Sequence, residues 1–161
     1  MVDALSHGRL QVGIGSGYQQ YEFDRFHSSL DGAMEMTAEI LDIIERGLTQ
    51  ESFSHQGKHY SIPETRIAVK PVQKPMPPMW VAGMMGNAQI KRRVASMGYT
   101  PFLAAALSPI EKLVPVRKSY DDAYREVGID PTGQPMGLMR YFHLTDSKDD
   151  ALDAAERCRY S

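Results

Sequence analysis

Short apolar runs alternate with longer amphipathic ones along this chain. Leu10 to Ile14 is brief, apolar-rich and closed by Gly15-Ser16-Gly17, the pattern of a buried strand ending in a glycine turn. The chain opens almost directly into it, with no lead-in element. From about Asp31 to Leu48 the period lengthens. Ala33, Met36, Ile40, Leu41, Ile44 and Leu48 recur at helical spacing, and Glu35, Glu39, Asp42, Glu45 and Arg46 fall mostly on other faces. Phe53 to Ile62 predicts a small hairpin, with Gln56-Gly57 at the turn and Gly57 free to take a positive φ. Lys70 to Pro78 is held extended by its prolines, and its PxxP spacing reads as a lead into the next strand. That strand, Met79 to Ala82, ends at Gly83. A helix follows from about Asn87 to Met97, closed by Gly98. Tyr99 to Ala104 is a further strand. Ser108-Pro109-Ile110-Glu111 offers a hydroxyl N-cap, a first-turn proline and a capping-box glutamate. The helix it starts should run to Val127 and stop at Gly128, with a kink or restart near Pro115. Leu138 to Leu144 predicts a last strand, and Ser147 to Asp150 caps a last helix.

This alternation implies parallel strands joined by crossovers, in a doubly wound sheet or in part of a (β/α) barrel; periodicity does not choose between them. The chain has 161 residues, 42% of them hydrophobic, enough for one domain with a real core. Its net charge of −2 is spread without long runs of either sign, which argues against a nucleic-acid partner. Lys91-Arg92-Arg93 is the densest basic cluster and reads as a solvated helix face. A single cysteine, Cys158, rules out an intrachain disulfide and a cysteine metal cluster. No apolar run reaches the ~20 residues of a membrane span, and the start lacks a signal-peptide layout, so a cytoplasmic protein is expected.

Two stretches carry candidate chemistry. Gly13-Ile14-Gly15-Ser16-Gly17 lets backbone amides approach a phosphate, although it lacks both the Walker lysine and the third glycine of a dinucleotide fingerprint, and a plain tight turn accounts for it as well. Tyr18 to Tyr21 stands where that fingerprint would open a helix. Gly83-Met84-Met85-Gly86-Asn87 joins a strand to a helix start, where free amides and the helix dipole favour an anion. Both lie at strand C-terminal ends, where sites of α/β proteins gather. His55 and His59 have a metal-like spacing, but they sit on a hairpin with no carboxylate beside them in sequence, so no metal is assigned. His27 and His143 read as satisfied structural histidines.

Leu5-Ser6-His7-Gly8-Arg9-Leu10, then Val12-Gly13-Ile14-Gly15-Ser16-Gly17-Tyr18, with Glu22, Phe23 and Phe26 following, resembles the LSxGR…GxGxGY stretch of the luciferase-like monooxygenases. Phe53 to Tyr60 looks like that family's FxGKxY insertion. Lys70-Pro71-Val72-Gln73-Lys74-Pro75 with Pro77 to Gly83 is similar to its PxPxQxPxPPIWVAG segment. The matches run in order over nearly the whole chain. The resemblance implies an α/β fold, a partial TIM barrel of approximately strands 4 to 7 with an inserted hairpin. Leu10–Ile14 would be the fourth barrel strand, Met79–Ala82 the fifth, Tyr99–Ala104 the sixth and Leu138–Leu144 the seventh. Residues 1–161 would then be one barrel segment truncated at both ends. Taken alone, such a segment is expected to be inactive and to aggregate, pair edge to edge or stay molten, with Leu10 and Val12 facing an open lumen.

The family implies reduced FMN, or in some branches the deazaflavin F420, at the C-terminal mouth of the barrel. The implied reaction uses reduced flavin and oxygen to oxidise a small organic substrate. F420-dependent hydride transfer and a non-catalytic subunit or remnant are the alternatives. A separate flavin reductase and a homo-oligomeric parent are implied as well. By the same resemblance, Gly15, Ser16, Gly17 and Tyr18 line the phosphate and ribityl side, while Ala82, Gly83, Met84, Met85, Gly86 and Asn87 wrap the phosphate. Two positions depart from the pattern. Ser16 stands where many FMN-using members carry Arg, and Met84-Met85 where many carry Ser or Thr. Losing a charge-assisted pair there would weaken binding by ~1.5–3 kcal/mol. No catalytic residue is assigned in this chain.

Overall fold

A computed structural model describes residues 1–83, 87–106 and 108–158. Four strands, β1 (Val12–Gly15), β4 (Met79–Ala82), β5 (Thr100–Ala106) and β6 (Gly137–Arg140), form one parallel sheet in that order. A two-stranded antiparallel hairpin, β2 (Ser52–Gln56) and β3 (Ser61–Arg66), stands apart from it.

The register fixes what each sheet face carries, because side chains alternate across a strand. Val12 lies opposite Met79 and Ile14 opposite Val81, with Pro101 next to Val81. Met79, Val81 and Leu103 form one core with Leu41 of α3 (Ala33–Thr49), Ile90 and Val94 of α4 (Ala88–Ser96), and Tyr120 and Tyr124 of α5 (Ile110–Glu126). Gly13, Gly15, Trp80, Ala82 and Phe102 occupy the other face, which opens onto a cavity with no helix residue in its lining among the described residues. A doubly wound sheet carries helices on both faces, whereas a barrel wall carries them on the outside alone. The sheet is thus the wall of a partial barrel. Val12 packs against the helical core instead of facing the lumen as expected. The lumen side of β1 is built of glycines.

Other expectations need correction. The chain begins with a single helical turn, α1 (Val2–Leu5), too short to show a periodicity. Tertiary contacts hold it: the buried Asp3 carboxylate accepts from the Val72 amide at 2.7 Å, the Gln73 amide at 3.0 Å and Gln73 Nε2 at 2.7 Å. A second short helix, α2 (Gln20–Arg25), follows the first glycine loop, where no helix opening was expected. The hairpin turn spans residues 57–60, closed by the Gly57 amide on the Tyr60 carbonyl at 2.9 Å, and Gly57 is not among the positive-φ glycines. It is glycine for space, since a Cβ there would run into the Glu39 carboxylate.

Helix α5 has Pro109 as N-cap with no side-chain cap, so the Ser108 capping box does not form. The helix continues through Pro115, which is exposed, leaving the carbonyl one turn back to water. Strand β6 stops at Arg140, four residues short of Leu144. Arg140 pairs with Ala106, the last described residue of β5, so among the described residues the ladder offers 141–144 no partner.

Candidate functional site

Because β1 and β4 are parallel and in register, Gly15 opposite Ala82, the two glycine loops leave the same edge of the sheet. Gly17 (φ 71°) and Gly83 (φ 83°) both take the left-handed conformation that glycine adopts without strain. A Cβ on Gly83 would lie 3.7 Å from Ser16 Oγ, so the loops meet at Ser16. The Ser16 hydroxyl donates to the Gly17 carbonyl at 3.2 Å. Tyr18 is 76% exposed. Asn87 Oδ1 accepts from the Ile90 amide at 3.0 Å, so this side chain serves as the N-cap of α4. Met84, Met85 and Gly86 lie outside the described residues.

Below the loops, the lumen face forms a slot of about 520 Å³ lined by Gln11, Gly13, Ile14, Gly15, Trp80, Ala82 and Phe102. Nothing stands within 4 Å of a Cβ built on Gly13, so glycine keeps this floor flat. Trp80 and Phe102 meet edge to face, with ring centroids 6.4 Å apart and planes at 76°, and Trp80 Nε1 donates to Gln11 Oε1 at 2.7 Å. On β6, a Cβ at Gly137 would clash with Phe102 and approach the Trp80 ring to 2.9 Å. The slot suits a flat, largely apolar ring system, and the glycine loops at its rim suit an anionic tail.

A second cavity, of about 680 Å³, lies between the end of β1, α2, α3 and the hairpin. Gly15 and Ser16 line one side, Tyr21, Glu22, Phe23, Arg25 and Phe26 another, and Met36, Ile40 and Tyr60 complete it. Sequence reading missed Trp80, Phe102 and Arg25 as lining residues. Strand alternation would have placed the first two on one face, but nothing local marks Arg25.

The histidine pair is embedded in carboxylates, contrary to the sequence expectation. Glu35, Glu39 and Asp42 fall on the side of α3 that meets the hairpin. His55 Nε2 lies 2.8 Å from Glu39 Oε1 and His55 Nδ1 3.6 Å from Asp42 Oδ2, while His59 Nε2 lies 3.2 Å from Glu35 Oε2. Partial burial pushes the Glu39 carboxyl up. Bonds from His55 and from the His59 and Tyr60 amides outweigh this and bring it down to about 2. Among the described residues, no group of three or more such side chains is placed to hold a metal ion. The cluster clamps the hairpin to α3.

His27 is exposed with a φ of 52°, and its ring has no hydrogen-bond partner among the described residues, so it is not the satisfied structural histidine expected. His143 pairs with Asp150 at 2.9 Å. The basic cluster is a helix seam more than a solvated face. Arg93 binds Glu45 at 2.7 Å and the Ala38 carbonyl at 3.1 Å, Lys91 donates to Ser119 at 2.8 Å, and Arg92 alone is an exposed pair, with Glu126.

The family profile described as luciferase-like monooxygenase matches residues 1–161. A Sinorhizobium fredii protein of uncharacterised function, y4vJ, is 34% identical over 99% of this chain and 45% of its own length. The oxygenase component of a flavin-dependent trigonelline monooxygenase from Acinetobacter baylyi is 28% identical, over 96% of this chain and 42% of its own. Among solved structures, the monooxygenase RslO1 of Streptomyces bottropensis superposes with a TM-score of 0.84 at 23% identity, covering 99% of this chain and 49% of that one. The oxygenating constituent of Pseudomonas putida 3,6-diketocamphane monooxygenase, in complex with FMN, gives 0.74 at 21%, over 97% and 46%. An F420-dependent secondary alcohol dehydrogenase gives 0.75 at 17%, over 95% and 46%. These structures establish the fold. The chain spans less than half the length of each relative.

Proposed function

Because this chain belongs to the luciferase-like monooxygenase family, we propose that it forms the flavin-holding part of a monooxygenase that uses reduced FMN and oxygen to oxidise a small organic substrate. The observation that carries this reading is the glycine-floored slot lined by Trp80 and Phe102, opening beside two positive-φ glycine loops on one sheet edge. The donor set fits the cofactor. Gly13 and Gly15 leave room for a flat ring, Trp80 and Phe102 wall it with apolar surface, and the loops at Gly17 and Gly83 would offer backbone amides to its phosphate end. When bound, reduced flavin supplies the electrons for oxygen activation, and the protein supplies orientation and water exclusion. Gly15, Ser16, Gly17, Tyr18, Ala82 and Gly83 to Asn87 are assigned to its phosphate and ribityl end. The trigonelline enzyme's being an oxygenase component supports a separate flavin reductase as partner.

Trp80 is the chain's single tryptophan and lines the slot, so FMN binding should quench its fluorescence. A Cβ at Gly13 meets nothing within 4 Å, so Gly13→Leu projects into the slot and is expected to abolish that quenching while leaving the thermal melt near that of the wild type. Unchanged affinity in this variant would place the flavin elsewhere. F420-dependent hydride transfer is the second reading. It is favoured by the uncharged Ser16 at the loop and by the fold shared with the F420-dependent alcohol dehydrogenase. The same titration with F420 separates the two.

A further inference from the structure

We propose that Arg25 supplies the positive charge that meets the flavin phosphate, from α2 instead of from the glycine loop itself. The inference rests on the flavin reading above. A phosphate at the loops gains from backbone amides, but its charge calls for a cation nearby. The loop provides none: Ser16 is uncharged and its hydroxyl is turned to the Gly17 carbonyl. Arg25 shares the cavity of about 680 Å³ with Gly15 and Ser16. Among the described residues, it is the one lysine or arginine in the lining of the two cavities that flank the strand ends.

Arg25 is also available. Arg46, Arg92, Arg93, Arg117, Arg125 and Arg157 each hold a carboxylate, whereas Arg25 has no ion pair among the described residues. Its guanidinium rests over the Tyr21 ring, 5.4 Å from the centroid. That contact steadies the group without neutralising it and leaves its N–H edge free to donate. Glu22 lines the same cavity and opposes an anion there. Its Oε1 accepts from the Tyr21 hydroxyl at 3.4 Å. Tyr21 thus sits between the two charges, holding one by its face and the other by its hydroxyl.

The test uses the purified full chain, with FMN and riboflavin as the paired probes, since these differ by the phosphate alone. Arg25→Gln and Glu22→Gln are both exposed substitutions, so the fold is preserved and a melt checks it. Arg25→Gln is expected to weaken FMN about tenfold and leave riboflavin unchanged. Glu22→Gln is expected to tighten FMN and again leave riboflavin unchanged. The salt dependence of FMN affinity should flatten in Arg25→Gln. Equal effects of Arg25→Gln on both flavins, no effect on either, or wild-type riboflavin binding as tight as FMN would each overturn the assignment while the flavin reading stands. Failure of both flavins to bind the wild-type chain would overturn that reading and the assignment with it.

Discussion

Asp3 and Glu39 show how single carboxylates join distant stretches of this chain. Asp3 ties the first turn to the proline segment some seventy residues on, and Glu39 ties α3 to the hairpin. In each, burial raises the pKa and hydrogen bonds lower it further than burial raised it, through Gln73 and Val72 for Asp3 and through His55, His59 and Tyr60 for Glu39. A folded pKa below the unfolded one means that the ionised group adds stability above its ordinary value, near 4. That stability is lost as pH falls through the folded value, about 2 for Glu39. Urea midpoints should therefore show no contribution from these groups to pH dependence from about pH 5 to 8 and should drop below about pH 4. Glu39→Gln should lower the midpoint at neutral pH, with the gap to wild type narrowing toward pH 2. A gap constant down to that pH would show that the charge of Glu39 is not what holds the hairpin. At Gly137 the issue is space: Gly137→Ala should displace Phe102 and Trp80 and be visible as a shifted Trp80 emission maximum.

Elements end where they do for reasons that differ from glycine to glycine. Gly98 closes α4 with φ 67°, the Tyr99 amide bonds the Val94 carbonyl at 2.9 Å, and nothing lies within 4 Å of its missing side chain. Gly98→Ala should therefore cost backbone strain alone, about 1 kcal/mol, or roughly 2–4 °C in Tm. Gly57 has ordinary backbone angles and a carboxylate in its way. Gly57→Ala should destabilise the wild type and cost less in a Glu39→Ala background, where the His55 ring remains in the way, a coupling that a double-mutant cycle reads directly. Additive effects would mean that the turn, not the contact, selects glycine. The helix periods of α3 and α4 and the cap at Gly98 were legible because each is decided within a few residues. The short helices α1 and α2, and the early end of β6, depend on partners far along the chain and left no local mark.

At the scale of the whole molecule, α3, α4 and α5 cover one face of the sheet and leave the other open, with β1 and β6 each paired on one side among the described residues. Tyr141, Phe142 and Leu144 are 57%, 84% and 83% exposed just beyond β6. Such edges and apolar side chains favour association. Light scattering coupled to size exclusion should report a mass above that of one chain, falling toward the monomer in a Phe142→Lys, Leu144→Lys double variant. A monomer at all concentrations in the wild type would show that this surface is tolerated.

The sequence alone determined the alternation of strands and helices, the parallel pairing it requires, the two glycine loops on one edge, and the family pattern of Gly13 to Tyr18 and Pro77 to Gly83. These follow from local period, turn chemistry and motif, all of which are read along the chain. Periodicity left a doubly wound sheet and a barrel wall open, the resemblance implied the barrel, and the tertiary structure decided it, because that choice is which face the helices cover. It also decided that Val12 faces the helices while Gly13 and Gly15 floor a slot walled by Trp80 and Phe102, and that Arg25 shares a cavity with Ser16. These are relations across space between residues that the chain keeps apart, and hydrophobic periodicity carries no information about them.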